Sequence, residues 1–222
     1  MGKVKIKKSD VWIDMTPMSD VMVLLLTFFM MTSTFVTPEP VQVNTPQSQS
    51  KVKVPEVDVL NILIDPQGKV FMSMDKTPDL EQTVKAMLEN NKMDPLTNNE
   101  LKKFKDEPMF GVPLGALKKY LSLPTNKMAE ELPKFGIPTD SISGGMSEFQ
   151  QWVREAKKAA RNPMAQDNGQ TLDSHELKIC IKADSKTPYK TIKKVMSELQ
   201  DMEENRYQLI TSYKVQETKE VK

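Results

Sequence analysis

The sequence predicts an α+β protein with a single N-terminal transmembrane helix, an extended linker, and a small domain of one sheet with helices on one face that carries a long insertion. Three observations predict it. Residues 18–36 read MSDVMVLLLTFFMMTSTFV, an apolar island in a chain whose mean hydropathy is −0.48. Residues 37–56 are rich in Pro, Gln, Ser and Val and show no helical period. Beyond residue 57, runs alternating apolar and polar residues exchange with helical patterns, the signature of a layered α+β unit.

Residues 1–16 form a tail with Lys3, Lys5, Lys7 and Lys8. A basic start before an apolar run also suits a cleaved signal, but an acid at the start of the run and the lack of a short small-residue cleavage site favour a retained anchor. Thr16 is a plausible N-cap and Pro17 suits the first helical position. Residues 17–36 then span about 30 Å, one hydrocarbon thickness. The lysines place the N-terminus in the cytoplasm. Everything after Val36 lies across the membrane, which in a two-membrane bacterium is the periplasm.

Asp20 is the only ionisable side chain in that run. Insertion of an Asp at a helix centre costs roughly 2.5–3.5 kcal/mol, so such an acid marks a functional site and implies a partner or a water-filled path. Hydrocarbon disfavours its ionised form and the nearby helix N-terminus favours an anion, a balance suited to loading and releasing a proton. The alternative is an ion pair that holds an assembly together without proton transfer. Seven residues is close to two helical turns, so Asp20, Thr27 and Thr34 form one polar stripe. Each threonine could instead bond back to a carbonyl one turn earlier.

The linker can add a strand to something but not fold alone. Residues 57–64 are β-rich, Asp65-Pro66-Gln67-Gly68 is a turn with Pro and Gly in favoured positions, and residues 69–74 return as the second strand of a hairpin. Pro78 opens a helix to about Glu89. Leu177, Ile179, Ile181 and Ala183 alternate with Lys178, Cys180 and Lys182 as a strand with one buried face. A helix over residues 188–202 and a last strand starting at Tyr207 follow. The domain comprises residues 57–90 and 172–216, with 217–222 as a tail. The insertion, 91–171, should be an irregular elaboration wrapped on the core, with helices over 112–121 and 148–161. Trp152, on one face of the second helix, reads as core. Ser143-Gly144-Gly145 is a weak phosphate-loop candidate, because it lacks the P-loop lysine.

The formal net charge of +1 excludes a domain-wide basic surface, so no nucleic acid is expected. One cysteine excludes an internal disulfide, and one histidine leaves no zinc cluster. Cys180 falls on the lysine-bearing face and reads as an exposed or interface thiol, a disulfide across a dimer being the alternative. His175 lies in a polar loop and reads as solvated. With no nucleophile–base or metal-ligand constellation, neither an enzyme nor a cofactor is expected.

Residues 13–35, IDMTPMSDVMVLLLTFFMMTSTF, resemble the membrane segment of the ExbD/TolR family: Thr16, Pro17, Asp20, Val21 and Leu24-Leu25-Leu26 match it, and Asp14 replaces the more familiar Asn. VQVNTPQS, with Val41, Val43, Asn44 and Pro46, is similar to the segment that follows the family's anchor. Residues 177–211 resemble its terminal strand–helix–strand, whereas the short forms of the family have only a brief connection in place of the insertion. The resemblance implies an ExbD-like subunit of a proton-motive-force-driven inner-membrane motor, with Asp20 carrying the proton. It implies three partners: a ring of an ExbB/TolQ-like polytopic protein around two copies of the anchor, a second copy of this chain, and a TonB- or TolA-like periplasm-spanning protein. Val41, Val43, Asn44 and Pro46 would form a linker strand for a partner or dimer contact. A TolR-like envelope subunit and a passive single-pass scaffold, with Asp20 as an assembly contact, are the alternatives.

Overall fold

The computed structural model describes residues 14–33, 39–49, 53–55, 57–140, 145–161 and 174–213. The chain divides into two compact units, residues 1–37 and 38–222.

In the first unit the described element is α1 (Thr16–Thr32). Asp14 starts it, accepting the Thr16 hydroxyl at 2.5 Å and the Thr16 amide at 2.9 Å. These two bonds hold the Asp14 carboxyl below its ordinary value. Thr16, the expected cap, is therefore the first helical residue and Pro17 the second, because Asp14 already supplies the oxygen that a cap provides. At 17 residues α1 is about 25 Å long. No helix among the described residues is long and apolar enough to cross a membrane. The close of the expected span, residues 34–36, lies outside the described residues.

The second unit contains strands β1 (Gln47–Ser48), β2 (Val59–Ile64), β3 (Val70–Met74), β4 (Lys178–Ala183), β5 (Tyr207–Ile210) and β6 (Ser212–Tyr213). Its helices are α2 (Thr77–Asn90), α3 (Asn98–Asp106), α4 (Leu114–Leu121), α5 (Thr125–Glu131), α6 (Glu148–Arg161) and α7 (Tyr189–Asp201). The main sheet has the order β3-β2-β4-β5, with β3 antiparallel to β2 and the other neighbours parallel. The hairpin closes as its turn residues require: Gly68, at φ 85°, donates its N–H to the Asp65 carbonyl at 3.0 Å.

Register sorts the core. Ile62 pairs with Met72 on one side and Ile181 on the other, and all three are buried on one face of the sheet. α2 lies against that face, with the Thr83 hydroxyl 3.8 Å from the Met74 sulfur. The opposite face is not bare. Leu63 pairs with Phe71, Cys180 pairs with Asn61 on the same face, and Leu63, Phe71 and Cys180 are all buried. The expected exposed thiol is thus corrected: Cys180 is fully enclosed, burial pushes its thiol up, and it is not placed to bridge a dimer. Two segments cover this face, and period-two patterning could not announce them. Gly111 is pressed so closely on the Phe71 ring that a Cβ would fall 2.1 Å from a ring carbon. Lys182 pairs with Glu39 of the linker at 2.9 Å.

Over its described residues the insertion is mostly helical. α4 and α6 stand where the helical spacing puts them, and α3 and α5 are additional. α3 begins at a capping box in which the Thr97 amide donates to the Glu100 carboxylate at 2.8 Å. α6 begins at another: Ser147 N–H donates to Gln150 Oε1 at 3.1 Å and Gln150 N–H to Ser147 Oγ at 3.2 Å. Phe104, Phe110, Leu117, Leu121, Phe149, Trp152 and Val153 join the sheet residues in one hydrophobic core. The insertion also closes the β3 edge. Met72 and Phe110 exchange backbone hydrogen bonds at 2.7 and 2.8 Å, and the Ile137 amide donates to Val70 O at 2.8 Å. Covering an edge in this way removes a template for unwanted strand pairing.

Candidate functional site

Asp20 lies in the second turn of α1, and Thr27 two turns further along the same helix. The Thr27 hydroxyl donates to the Leu24 carbonyl at 2.9 Å, so that donor is used within the helix while the oxygen can still accept. Thr32 does the same to Phe28 O at 2.9 Å. Thr34, the third residue of the expected stripe, lies outside the described residues. None of the residues of α1 is buried. Leu24, Leu25, Leu26, Phe28 and Phe29 are each more than half exposed. Water is a poor solvent for such a surface, at about 25 cal/mol per Å² of apolar area.

The linker residues singled out from the sequence are docked on the second unit. Val41 is buried in its core and Val43 packs against it. Asn44 is held from both sides: its amide donates to Asp184 Oδ2 at 2.7 Å, and its carbonyl accepts the Ser185 amide at 2.9 Å. The Pro46 carbonyl accepts the Ser212 amide at 3.0 Å, after which β1 runs parallel to β6, Gln47 opposite Ser212. The strand-adding segment thus adds its strand to its own chain.

Asp184 organises this docking. It accepts the Lys186 amide at 2.8 Å as well as that of Asn44, and these two bonds hold its carboxyl below the ordinary value. A depressed carboxyl contributes above its unfolded value and loses that contribution as pH falls through the folded one, so the docking persists at neutral pH and weakens only in acid. Asp184→Ala is expected to raise amide exchange at Asn44 and Lys186 by roughly tenfold, because each amide loses one charge-assisted hydrogen bond. Hydrogen exchange resolved to these residues measures it, and unchanged exchange at Asn44 would show that the Asp184 carboxylate does not hold the linker.

A group of four ionisable side chains was not legible as a site. His175, expected in solvent, is largely buried: its Nε2 lies 3.0 Å from Asp79 Oδ2 and 3.6 Å from Asp58 Oδ1. Asp79 is only 1% exposed, in the first turn of α2, and Lys76 Nζ lies 2.7 Å from Asp58 Oδ1. Three stretches of chain meet there, at Asp58, at Lys76 and Asp79, and at His175, so spacing could not reveal it. The one local sign is Asp79 directly after Thr77-Pro78, an acid placed where a helix N-terminus favours one. Ser143 and Gly144 of the weak phosphate-loop candidate lie outside the described residues. Among the described residues no group of three or more His, Cys, Asp or Glu side chains could hold a metal ion.

No curated protein and no solved structure matched the chain. A family model did, that of the biopolymer transport protein ExbD/TolR, over residues 7–104. The match takes in α1, the docked linker, the β2–β3 hairpin, α2 and most of α3, and ends before the rest of the insertion and the terminal strand–helix–strand. Members of that family are inner-membrane components of biopolymer transport motors and not enzymes. Over the stretch that holds Asp20, the linker and the hairpin, the chain is similar to the ExbD/TolR family.

Proposed function

We propose that this chain is the ExbD-like subunit of an inner-membrane motor driven by the proton-motive force, and that Asp20 is its proton-carrying carboxyl. One observation carries the reading. The family match includes an apolar helix that buries none of its residues and holds a single acid. A helix of that kind needs lipid and partner helices around it, and the acid needs a polar lining or water. The anchor runs over residues 17–36, with residues 1–16 in the cytoplasm and the second unit in the periplasm. Two copies of it sit in a ring of an ExbB/TolQ-like protein, with Thr27 and Thr34 ordering water or accepting hydrogen bonds beside Asp20. Motion of the anchor pair reaches a TonB-type protein through the periplasmic unit. For Val41, Val43, Asn44 and Pro46 to serve a partner or a second copy, the linker must first leave Asp184 and β6.

Purification of the full chain from its native membrane tests this. A polytopic membrane protein should co-purify with it in a complex that survives in detergent, together with a periplasm-spanning protein under energised conditions. Recovery of the chain with soluble partners alone would overturn the motor and leave a single-pass scaffold.

A further inference from the structure

We propose that the insertion builds a receptor for a cationic side chain: a cavity between the end of α2, the start of α4 and the start of α6 takes the guanidinium of an arginine from a partner protein, with Glu148 as its counter-charge. The site lies within the second unit and does not depend on Asp20.

The cavity has a volume of about 510 Å³, an ordinary size for a ligand pocket. Met93, Leu114 and Met146 give it apolar walls, and its only charged lining residues are the acids Asp140 and Glu148. Asp140 is already paired with Lys194. Glu148 has no such partner. Burial pushes its carboxyl up, and the groups that pull it back are uncharged: the Leu114 amide, 2.8 Å from Oε1, and the Trp152 indole. A half-buried carboxylate held by neutral donors alone keeps a desolvation cost that an entering cation relieves.

The neutral groups around the cavity favour the same sign of charge. α2 ends there with no basic residue in its last turn, so its final carbonyls present partial negative charge. Asn91 Nδ2 donates to Met87 O at 2.8 Å and to Gln151 Oε1 at 3.2 Å, and Gln151 Nε2 donates to Met146 O at 3.3 Å. The Asn91 amide is thus left with its oxygen to offer. The amides that could hold an anion at the two helix starts are committed. Leu114 N–H donates to Glu148, Phe149 N–H to Pro138 O at 3.3 Å, and Gln150 N–H to Ser147 Oγ at 3.2 Å.

Arginine fits this lining better than lysine. Its planar fork can meet a carboxylate and an amide oxygen together, and it gives up water more readily than an ammonium does. Its stem can lie along the two methionines, whose flexible side chains adapt to it. Met146 is 37% exposed, so one wall continues to the surface, where the residues beside the arginine can rest. Every lining residue named here falls between Asn91 and Gln151, inside the insertion. The cavity gives that segment a part in choosing a partner.

NMR of the full chain in detergent, labelled at its methionine methyl groups, tests this by titration with a Gly-Arg-Gly peptide blocked at both ends, its citrulline analogue, and agmatine. The Met93 and Met146 methyls should shift saturably with the arginine peptide, and the citrulline peptide, which keeps the shape and loses the charge, should bind roughly tenfold more weakly. Glu148→Gln, which can still accept the Leu114 amide, should bring the arginine peptide down to the citrulline level. Equal binding of the two peptides overturns the proposal, as does a lack of saturable shifts at both methyls or undiminished binding by Glu148→Gln. Binding of agmatine with exclusion of the arginine peptide would assign the cavity to a small free cation and overturn it too. The comparison of the two peptides in the unaltered chain decides even if the variant fails to fold.

Discussion

Asp20→Asn is expected to leave the membrane complex assembled and to abolish its energised output. Asparagine keeps the shape and the hydrogen-bonding capacity of the side chain and removes the titratable charge. The membrane potential does work only on a charge that moves, about 2.3 kcal/mol per elementary charge across 100 mV. A residue that cannot load a proton contributes none of it. The substitution does not make the anchor harder to insert, because a neutral amide is cheaper in hydrocarbon than a carboxylate. The checks are co-purification of the polytopic partner, expected to be unchanged, and energy-dependent output of the complex, expected to fall to the level seen with a protonophore. Retained output would assign Asp20 to assembly. Thr27→Val refines the same test. It removes the hydroxyl now donated to Leu24 O and should lower the output without abolishing it. Unchanged output would limit that hydroxyl to its back-bond.

Local patterns in the sequence reached the structure where one element decides its own form. The 65–68 turn is legible because Pro and Gly occupy the positions that the turn geometry demands, and the β2–β3 hairpin follows from it. α6 is legible because Phe149, Trp152, Val153 and Ala156 repeat at helical spacing, and all four are buried. Patterning failed where burial is conferred from a distance. The strand holding Cys180 alternates with lysines and reads as half-exposed, yet the linker and residues near Gly111 close over that face. His175 follows polar residues and reads as solvated, yet the fold brings Asp58 and Asp79 to it from about a hundred residues away in sequence. Asp20 is the opposite case. Its proposed role can be argued from sequence because the cost of a charge in hydrocarbon depends on the solvent and not on a tertiary partner.

Trp152→Ala is expected to destabilise the whole second unit by about 3–5 kcal/mol. For a unit of this size that is a fall of roughly 6–20 °C in Tm. Trp152 is 1% exposed, and its ring lies 4.8 Å from that of Phe110, which in turn lies 5.4 Å from Phe104. Phe110 is the residue whose backbone closes the β3 edge through Met72. The indole therefore joins the insertion to the sheet, and its removal opens a cavity at that joint. Glu148 adds to the same region. Its carboxylate accepts the Leu114 amide at 2.8 Å, giving α4 the cap that its own sequence lacks. Burial pushes that carboxyl up, and the Leu114 amide pulls it back. Thermal unfolding with hydrogen exchange distinguishes two outcomes. If the insertion is part of the core, a single transition moves down and β2, β3 and α2 lose protection together with α3, α4 and α6. If the insertion is a separate folding unit, only its own helices lose protection and the sheet's transition stays in place. One hydrophobic core containing Ile62, Met72, Phe110 and Trp152 favours the first, because a cavity at their junction loosens every element that lines it.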